Sequence, residues 1–415
     1  MKRISLFLIC AFALAMAGMA QQVSITPEFQ AAVAKYDIVQ TFHNGYAAVC
    51  RDGKWGYIDT AGREVIACTI PAKYDVCSDR ADYGFYRDNG YVRDFSCGLV
   101  AVAREVSGAT QSFDRQLKWG YMDATGRLVV DYIYDDAADF SEGLAYVACD
   151  TYRGYIDTQG NRVIDVSRYD DNGGSSHSFH NGLALVAKAN DDGVKFGYID
   201  HQGREVVPCT YDDAQDYSEG LASVGAFKED DADDMFPYVY SFINVQGQPV
   251  FTLKQGLKPG QFHNGMASVT TDARQYGFID TTGTQVVPMR YATAEVAMER
   301  FMADFNEDFA LVGDEATMGD TAHTTFHLLG KNGVLSTRAF DSNVHQGLVL
   351  VDDGSKFGFA RPDGTIAIPC QYDYTQPCVT GELLNASYVF NEGVAAVRKA
   401  GHWGYIDAQG NSTFK

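Results

Sequence analysis

Hydrophobic and polar positions alternate along most of this chain, in short runs rich in Val, Ile, Tyr, Phe and Trp and bounded by Gly, Asp or Asn. A period of two in such residues predicts half-buried β-strands separated by tight turns. The runs also recur. The phrase FHNGYAAV (42–49) returns as FSCGLVAV (95–102), FSEGLAYV (140–147), FHNGLALV (179–186) and YSEGLASV (217–224). It continues as FHNGMASV (262–269), FNEDFALV (305–312), VHQGLVLV (344–351) and FNEGVAAV (390–397). All nine versions end in Val, and successive copies stand about 43 residues apart. Repetition at this period predicts units that bury their apolar faces only against one another.

A second phrase follows each first one. It reads KWGYIDTAG (54–62), KWGYMDATG (118–126), YRGYIDTQG (152–160), KFGYIDHQG (195–203) and YSFINVQG (240–247). The remaining copies are YGFIDTTG (276–283), FHLLGKNG (326–333), FGFARPDG (357–364) and WGYIDAQG (403–410). A third phrase is a short apolar run such as REVIA, REVVP or TQVVP. Tyr-Asp commonly follows it, as at Tyr74-Asp75, Tyr134-Asp135, Tyr169-Asp170, Tyr211-Asp212 and Tyr372-Asp373. Each phrase reads as one strand, which gives about nine three-stranded antiparallel units over residues 36–415.

In the second strand Trp55 and Tyr57 face one way, Gly56 and Ile58 the other. Gly56 is expected to admit a bulky group from a neighbouring unit. Units five and seven carry Ser241 and His327 instead, and looser packing is expected there. Asp59, Asp123, Asp157, Asp200, Asp280 and Asp407 share one turn position, where a carboxylate caps backbone N–H groups. An aspartate repeated six times at a turn reads as a cap and not as a catalyst.

The three linked phrases together resemble the WG-repeat family across essentially all of 36–415. Trp55-Gly56, Trp119-Gly120 and Trp403-Gly404 keep the eponymous pair; Phe196, Tyr276 and Phe357 replace the Trp, and Arg153 breaks the pattern. The resemblance implies a tandem β-repeat module of exported or envelope-associated bacterial proteins, with no catalytic residue to carry over. The expected fold is all-β: a tandem array of antiparallel units, open or superhelical and solenoid-like, with a closed propeller-like ring as the alternative. Nine units of three clear strands favour the open array, because propeller blades have four strands and rings about 4–8 blades. Tyr36-Asp37 argues the other way, since it would supply the Tyr-Asp missing after Ser412-Thr413-Phe414.

Composition then bears on compartment. Residues 1–20 pair Lys2 and Arg3 with an apolar run and end in Gly18-Met19-Ala20, the pattern of a cleaved signal peptide. A short N-terminal segment, 21–35, precedes the repeats. Export to the periplasm or cell surface is therefore expected, with no integral membrane segment after cleavage. Loss of Lys2 and Arg3 moves the formal charge from −21 to −23, a surface unsuited to nucleic acid.

Export permits disulfides. Cys68, Cys209 and Cys370 each follow a third strand, and Cys77 and Cys378 come shortly after two of them, so Cys68–Cys77 and Cys370–Cys378 are candidate bridges. The histidines at one repeat position, His43, His180, His263 and His345, alternate with Ser and Asn in other units and read as turn residues. The acidic run 229–234 lacks calcium-loop spacing. No GxSxG, HExxH or phosphate loop occurs. Neither a metal nor a cofactor is expected.

Binding is sought in the insertions, at 76–93, 103–116, 226–238, 292–303 and 374–389. They carry Tyr83, Phe85, Tyr86, Tyr91, Phe236, Tyr238, Phe301 and Tyr388. Inserted loops on repeat scaffolds often form the binding face. The leading expectation is a non-enzymatic binding or scaffold protein of the bacterial envelope that recognises a protein or peptide. A glycan or peptidoglycan binder is the second, and it requires Trp55, Trp119 and Trp403 to be exposed. An enzyme with its site in the inserted loops is the third.

Overall fold

The computed structural model describes residues 22–71, 93–105, 117–170, 177–190, 193–228, 238–271, 275–292, 304–313, 326–339, 342, 344–373 and 389–414. Every unit is built on one hairpin. In unit one the first strand (Tyr46–Arg51) pairs antiparallel with the second (Lys54–Asp59), and Val49 stands opposite Gly56. The same pairing recurs as Val102 with Gly120, Val186 with Gly197, Val269 with Gly277, Val351 with Gly358 and Val397 with Gly404. The Val that ends the first phrase is therefore the partner of the Gly in the second, or of Ser241 and His327 in units five and seven.

A third strand adds antiparallel to the second, and here the glycine finds its reason. Trp55 pairs with Ile70 but Tyr57 with Ile66, so two extra residues bulge out opposite Gly56. A Cβ on Gly197 would lie 2.5 Å from the Val207 carbonyl oxygen and 2.7 Å from the Cys209 nitrogen. The crowding group is thus the backbone of the unit's own third strand, not a side chain from a neighbouring unit as expected. Proline fits at the bulge because the ladder is already broken there, and Pro208, Pro288 and Pro369 occupy it.

Unit five shows the converse. Ser241 pairs directly with Thr252 and Phe242 with Phe251, with no bulge at that point. The Ser241 and Thr252 hydroxyls lie 2.8 Å apart, and Phe242 and Ile243 are fully buried. Packing there is not looser; the third strand is short (Pro249–Thr252), and its register shifts only between Phe242 and Ile243.

The Tyr-Asp phrase leads into a fourth strand that the three-phrase reading missed. Two-residue strands at Ile38–Val39, Asp136–Ala137 and Asp213–Ala214 pair with the first strands of units one, three and five. Tyr36-Asp37 does for unit one what the other Tyr-Asp pairs do elsewhere: the Asp37 N–H donates to Cys50 O, as Asp135 does to Ala148 and Asp373 to Arg398.

The core lies between units. The second-strand aromatic of one unit meets the first-phrase aromatic of the next: Tyr57 with Phe95, Tyr121 with Phe140, Tyr155 with Phe179 and Tyr198 with Tyr217. Phe242 with Phe262, Phe278 with Phe305 and Phe359 with Phe390 continue the series, with ring centroids 4.9–5.0 Å apart. Between units seven and eight Asn306 donates to the Val344 carbonyl.

The all-β succession of separate antiparallel units is as expected. Its two ends meet. Tyr405 of unit nine packs on Phe42 of unit one at 5.2 Å and donates to Gln40 O at 2.7 Å, as Tyr57 donates to Arg93 O and Tyr198 to Gln215 O. The chain of unit-to-unit contacts therefore runs full circle, which is the closed alternative to the open array.

The segment 21–35 contributes a helix at that meeting point, Pro27–Val33. Thr26 caps it through the Phe29 N–H, Pro27 opens it, and Phe29 and Val33 are its buried residues.

Candidate functional site

The polar residues that recur are bound up in the joints between units. In eight of the nine units the first phrase begins with a two-residue turn in which both central residues have positive φ, such as Asn44 (53°) and Gly45 (86°); in unit seven Glu307 has it and Asp308 does not. Glutamate takes the first of these places at Glu142, Glu219, Glu307 and Glu392, although the left-handed region disfavours it. The contacts explain the choice. Glu142 accepts the Gly182 N–H at 2.9 Å, Glu219 the Gly265 N–H at 2.8 Å and Glu307 the Gly347 N–H at 3.2 Å. Glu392 accepts the Gly45 N–H at 3.0 Å. Each carboxylate caps the corresponding turn of the next unit, which offsets its backbone strain. Asn181 and Gln346 do the same for Gly220 and Gly393.

The histidines fall into this belt. His43 Nε2 lies 3.7 Å from Asp94 and His263 Nε2 3.6 Å from Asp304, while His345 Nδ1 is 3.1 Å from the Asn306 amide. Burial pushes the His345 imidazole below its ordinary value, against the opposing pull of the Glu307 carboxylate. Among the described residues no group of three or more His, Cys, Asp or Glu is placed to hold a metal ion.

The Lys of KWGY and the Asp of Tyr-Asp form a second joint. Lys118 pairs with Asp135 at 2.6 Å, and Lys195 with Asp212 and Lys356 with Asp373 repeat it. The other carboxylate oxygen accepts a hairpin N–H from the following unit, Phe227 on Asp212 and Gly401 on Asp373.

The aspartates of the GYID turn cap as expected. Asp123 Oδ1 accepts from Thr125 N and Arg127 N, and its other oxygen pairs with the Arg127 side chain. Bonds from the Thr125 hydroxyl, then from Arg127, pull its carboxyl down to about 2. Asp200 and Asp157 repeat the geometry.

Cys68 and Cys370 each point at a first-strand carbonyl, Val49 O at 3.8 Å and Val351 O at 3.7 Å. Burial pushes the Cys68 and Cys209 thiols up to about 11, so neither is a thiolate at neutral pH. Their proposed partners Cys77 and Cys378 lie outside the described residues. So do Tyr83, Phe85, Tyr86, Tyr91, Phe236, Phe301 and Tyr388. Tyr238 is described, and it belongs to no loop. It opens the second strand of unit five, half-buried between Phe227 and Tyr240.

Trp55 is 3 % exposed and Trp119 8 %, and Trp403 is half-buried. The Trp119 ring is covered by the Arg93 guanidinium at 4.7 Å. Trp55 and Trp119 serve the joints and offer no open face for a sugar ring.

What the repeat does not consume lies on the third strands. Val163, Val206, Val250 and Val286 occupy one position in four consecutive units, three to six, and all are exposed. Alternation on a strand with a buried inner face left this row unremarked in the sequence. Its signal is an apolar residue on both faces of the same short strand.

Seven segments of the chain match the model of the WG containing repeat: residues 34–55, 55–87, 119–150, 154–190, 196–225, 276–297 and 357–377. The chain belongs to the WG-repeat family. The WG glycine is the residue that admits the third-strand bulge, and the WG aromatic is the one buried beside it. No curated protein matches this WG-repeat chain. Similar solved structures include a eukaryotic initiation factor, at 10% identity and TM-score 0.39 over 79% of this chain and 92% of that one. BamB from Moraxella catarrhalis matches at 13% identity and 0.36, over 75% and 94%. Dipeptidyl peptidase 4 of Porphyromonas gingivalis matches at 8% and 0.44, over 94% and 67%. Likeness at this level says nothing of activity. Among the described residues no helix is long and apolar enough to cross a membrane.

Proposed function

We propose that this WG-repeat protein is a non-enzymatic binding or scaffold protein of the bacterial envelope, exported to the periplasm or cell surface, that recognises a protein or peptide along its third-strand rim. The row of exposed valines on units three to six carries the reading. Four aliphatic side chains at one repeat position present a regular apolar track, and exposed apolar surface of that kind suits an extended protein partner. The use of the recurring Asp, Glu, His and Tyr side chains in joints supports a binding role over a catalytic one. Burial of Trp55 and Trp119 weighs against stacking on sugars.

The test is retention by mature protein, with a variant carrying Val163→Asp, Val206→Asp, Val250→Asp and Val286→Asp as the control. From a detergent extract of the envelope, wild type is expected to retain one protein in near-stoichiometric amount, and the variant to lose it. Saturable binding to isolated cell-wall sacculi, equal in both forms, would replace this reading with the glycan one. Silence in both assays would point instead to a soluble small ligand.

A further inference from the structure

One joint in the circle is made differently from the rest. At six of the other joints the third strand of one unit lies against the turn glycine of the next, while at Gly333 and Gly410 nothing lies within 4 Å of the Cβ position. Val130 lies against Gly160, Ile164 against Gly203, Val207 against Gly247 and Phe251 against Gly283. At the joint from unit nine to unit one this cover comes from outside the repeat: Phe29 and Ala32 of the N-terminal helix sit on Gly62. After the last turn Ser412 bridges Ile406, Thr413 exchanges hydrogen bonds with the Tyr405 backbone, and Phe414 lies over Gly404.

The helix ties both sides. Phe29 stacks on Phe42 of unit one at 6.3 Å and on Tyr405 of unit nine at 5.7 Å. The Gln30 amide donates to Ser412 O at 3.3 Å and Phe414 O at 3.2 Å, and the Val23 N–H donates to Glu392 O at 2.8 Å. Yet the helix has seven residues, too few to persist undocked. Its anchors are Phe29 and Val33, one turn apart.

We propose that residues 22–33 are a latch, and that the circle of units opens at this seam before it opens anywhere else. Release of the helix uncovers Val39, Phe42, Val394, Ala396 and Tyr405, which form one apolar cluster with it in the closed state. It leaves the eight ordinary joints intact, so the closed circuit becomes an open array with two apolar ends. The device is independent of the partner proposed for the rim.

Hydrogen exchange on the full chain tests this, comparing wild type with Phe29→Ala. Exchange is expected to rise about a hundredfold in the strands at 46–51, 394–399 and 402–407, and to stay at the wild-type rate in 183–190 and 221–227. An equal rise in every unit would make the helix a general stabiliser and overturn the latch, as would no rise at the seam. Should Phe29→Ala fail to fold, Gln30→Ala removes only the two bonds to the tail. It is expected to give about a threefold rise confined to the same strands, and a rise spread over all units or absent altogether counts against the proposal in the same way.

Discussion

Units four and five stand side by side and differ at three places in the second phrase. Unit four has Gly197, a bulged third strand with Pro208, a Tyr198 hydroxyl bonded across the joint, and Asp200 at its turn. Unit five has Ser241 paired directly with Thr252 and no bulge opposite it, Phe242 with no hydroxyl, and Asn244 at its turn. Both bury their second strands fully at the centre. The comparison shows that the glycine, the phenol and the aspartate are each coupled to one local feature. The hairpin recurs in every unit, and a buried apolar joint, aromatic everywhere but between units seven and eight, joins each to the next.

Substitutions can break that comparison in order of size. Gly197→Ala sets a Cβ against the Val207, Pro208 and Cys209 backbone and is expected to cost about 3 kcal/mol in denaturant melts. Tyr198→Phe gives unit four the ring of unit five and removes a buried bond to Gln215 O, costing about 1.5 kcal/mol. Ser241→Gly is expected to cost about 1 kcal/mol, for unit five has no bulge that needs a glycine and would lose strand propensity with the Thr252 contact. If Gly197→Ala proves no worse than Ser241→Gly, the bulge is not what selects the glycine.

The smallest effect separates the two turns by pH. Burial raises the Asp200 carboxyl, but bonds from the Arg204 side chain and from backbone N–H groups outweigh it and leave the pKa below the ordinary carboxylate value. A folded-state pKa that is depressed stabilises the fold above the unfolded value of about 3.9 and loses that contribution as the pH falls through the lower folded one. Asn244 makes equivalent backbone bonds without a charge. Thermal melts from pH 5 to pH 2 are therefore expected to fall less steeply for Asp200→Asn than for wild type, and more steeply for Asn244→Asp. Parallel curves for all three would mean that this turn does not contribute to acid sensitivity.

The hairpins and the turn caps were legible in the sequence, and the contacts between units were not. Alternation and the turn residues gave the hairpins, and six aspartates at one turn gave the caps. The bulge was not legible from Gly56 alone, because the atoms that crowd it are backbone atoms of a different strand. Pro208 and Pro369 inside apparent strands were the available signal. The fourth strand escaped because two residues carry no period. Closure was hinted at by Tyr36-Asp37, but Phe29 and Gln30 decide the seam, and they have no counterpart in the repeat against which to read them. The expected binding aromatics, apart from Tyr238, lie outside the described residues, and the valine row does not stand out in the sequence because each third phrase is a short run of apolar residues on both faces.

The contact of Tyr405 with Phe42 also bears on how such a chain can change by duplication. A linear array grows or shrinks by one copy at little cost to the copies that remain. In a closed circuit, losing one copy forces every surviving joint to turn through a wider angle, and gaining one narrows them all. Copy number then becomes a property of the whole molecule, inherited as a fixed count, while sequence drift within any one copy, such as Ser241 for glycine, stays a private matter of that copy.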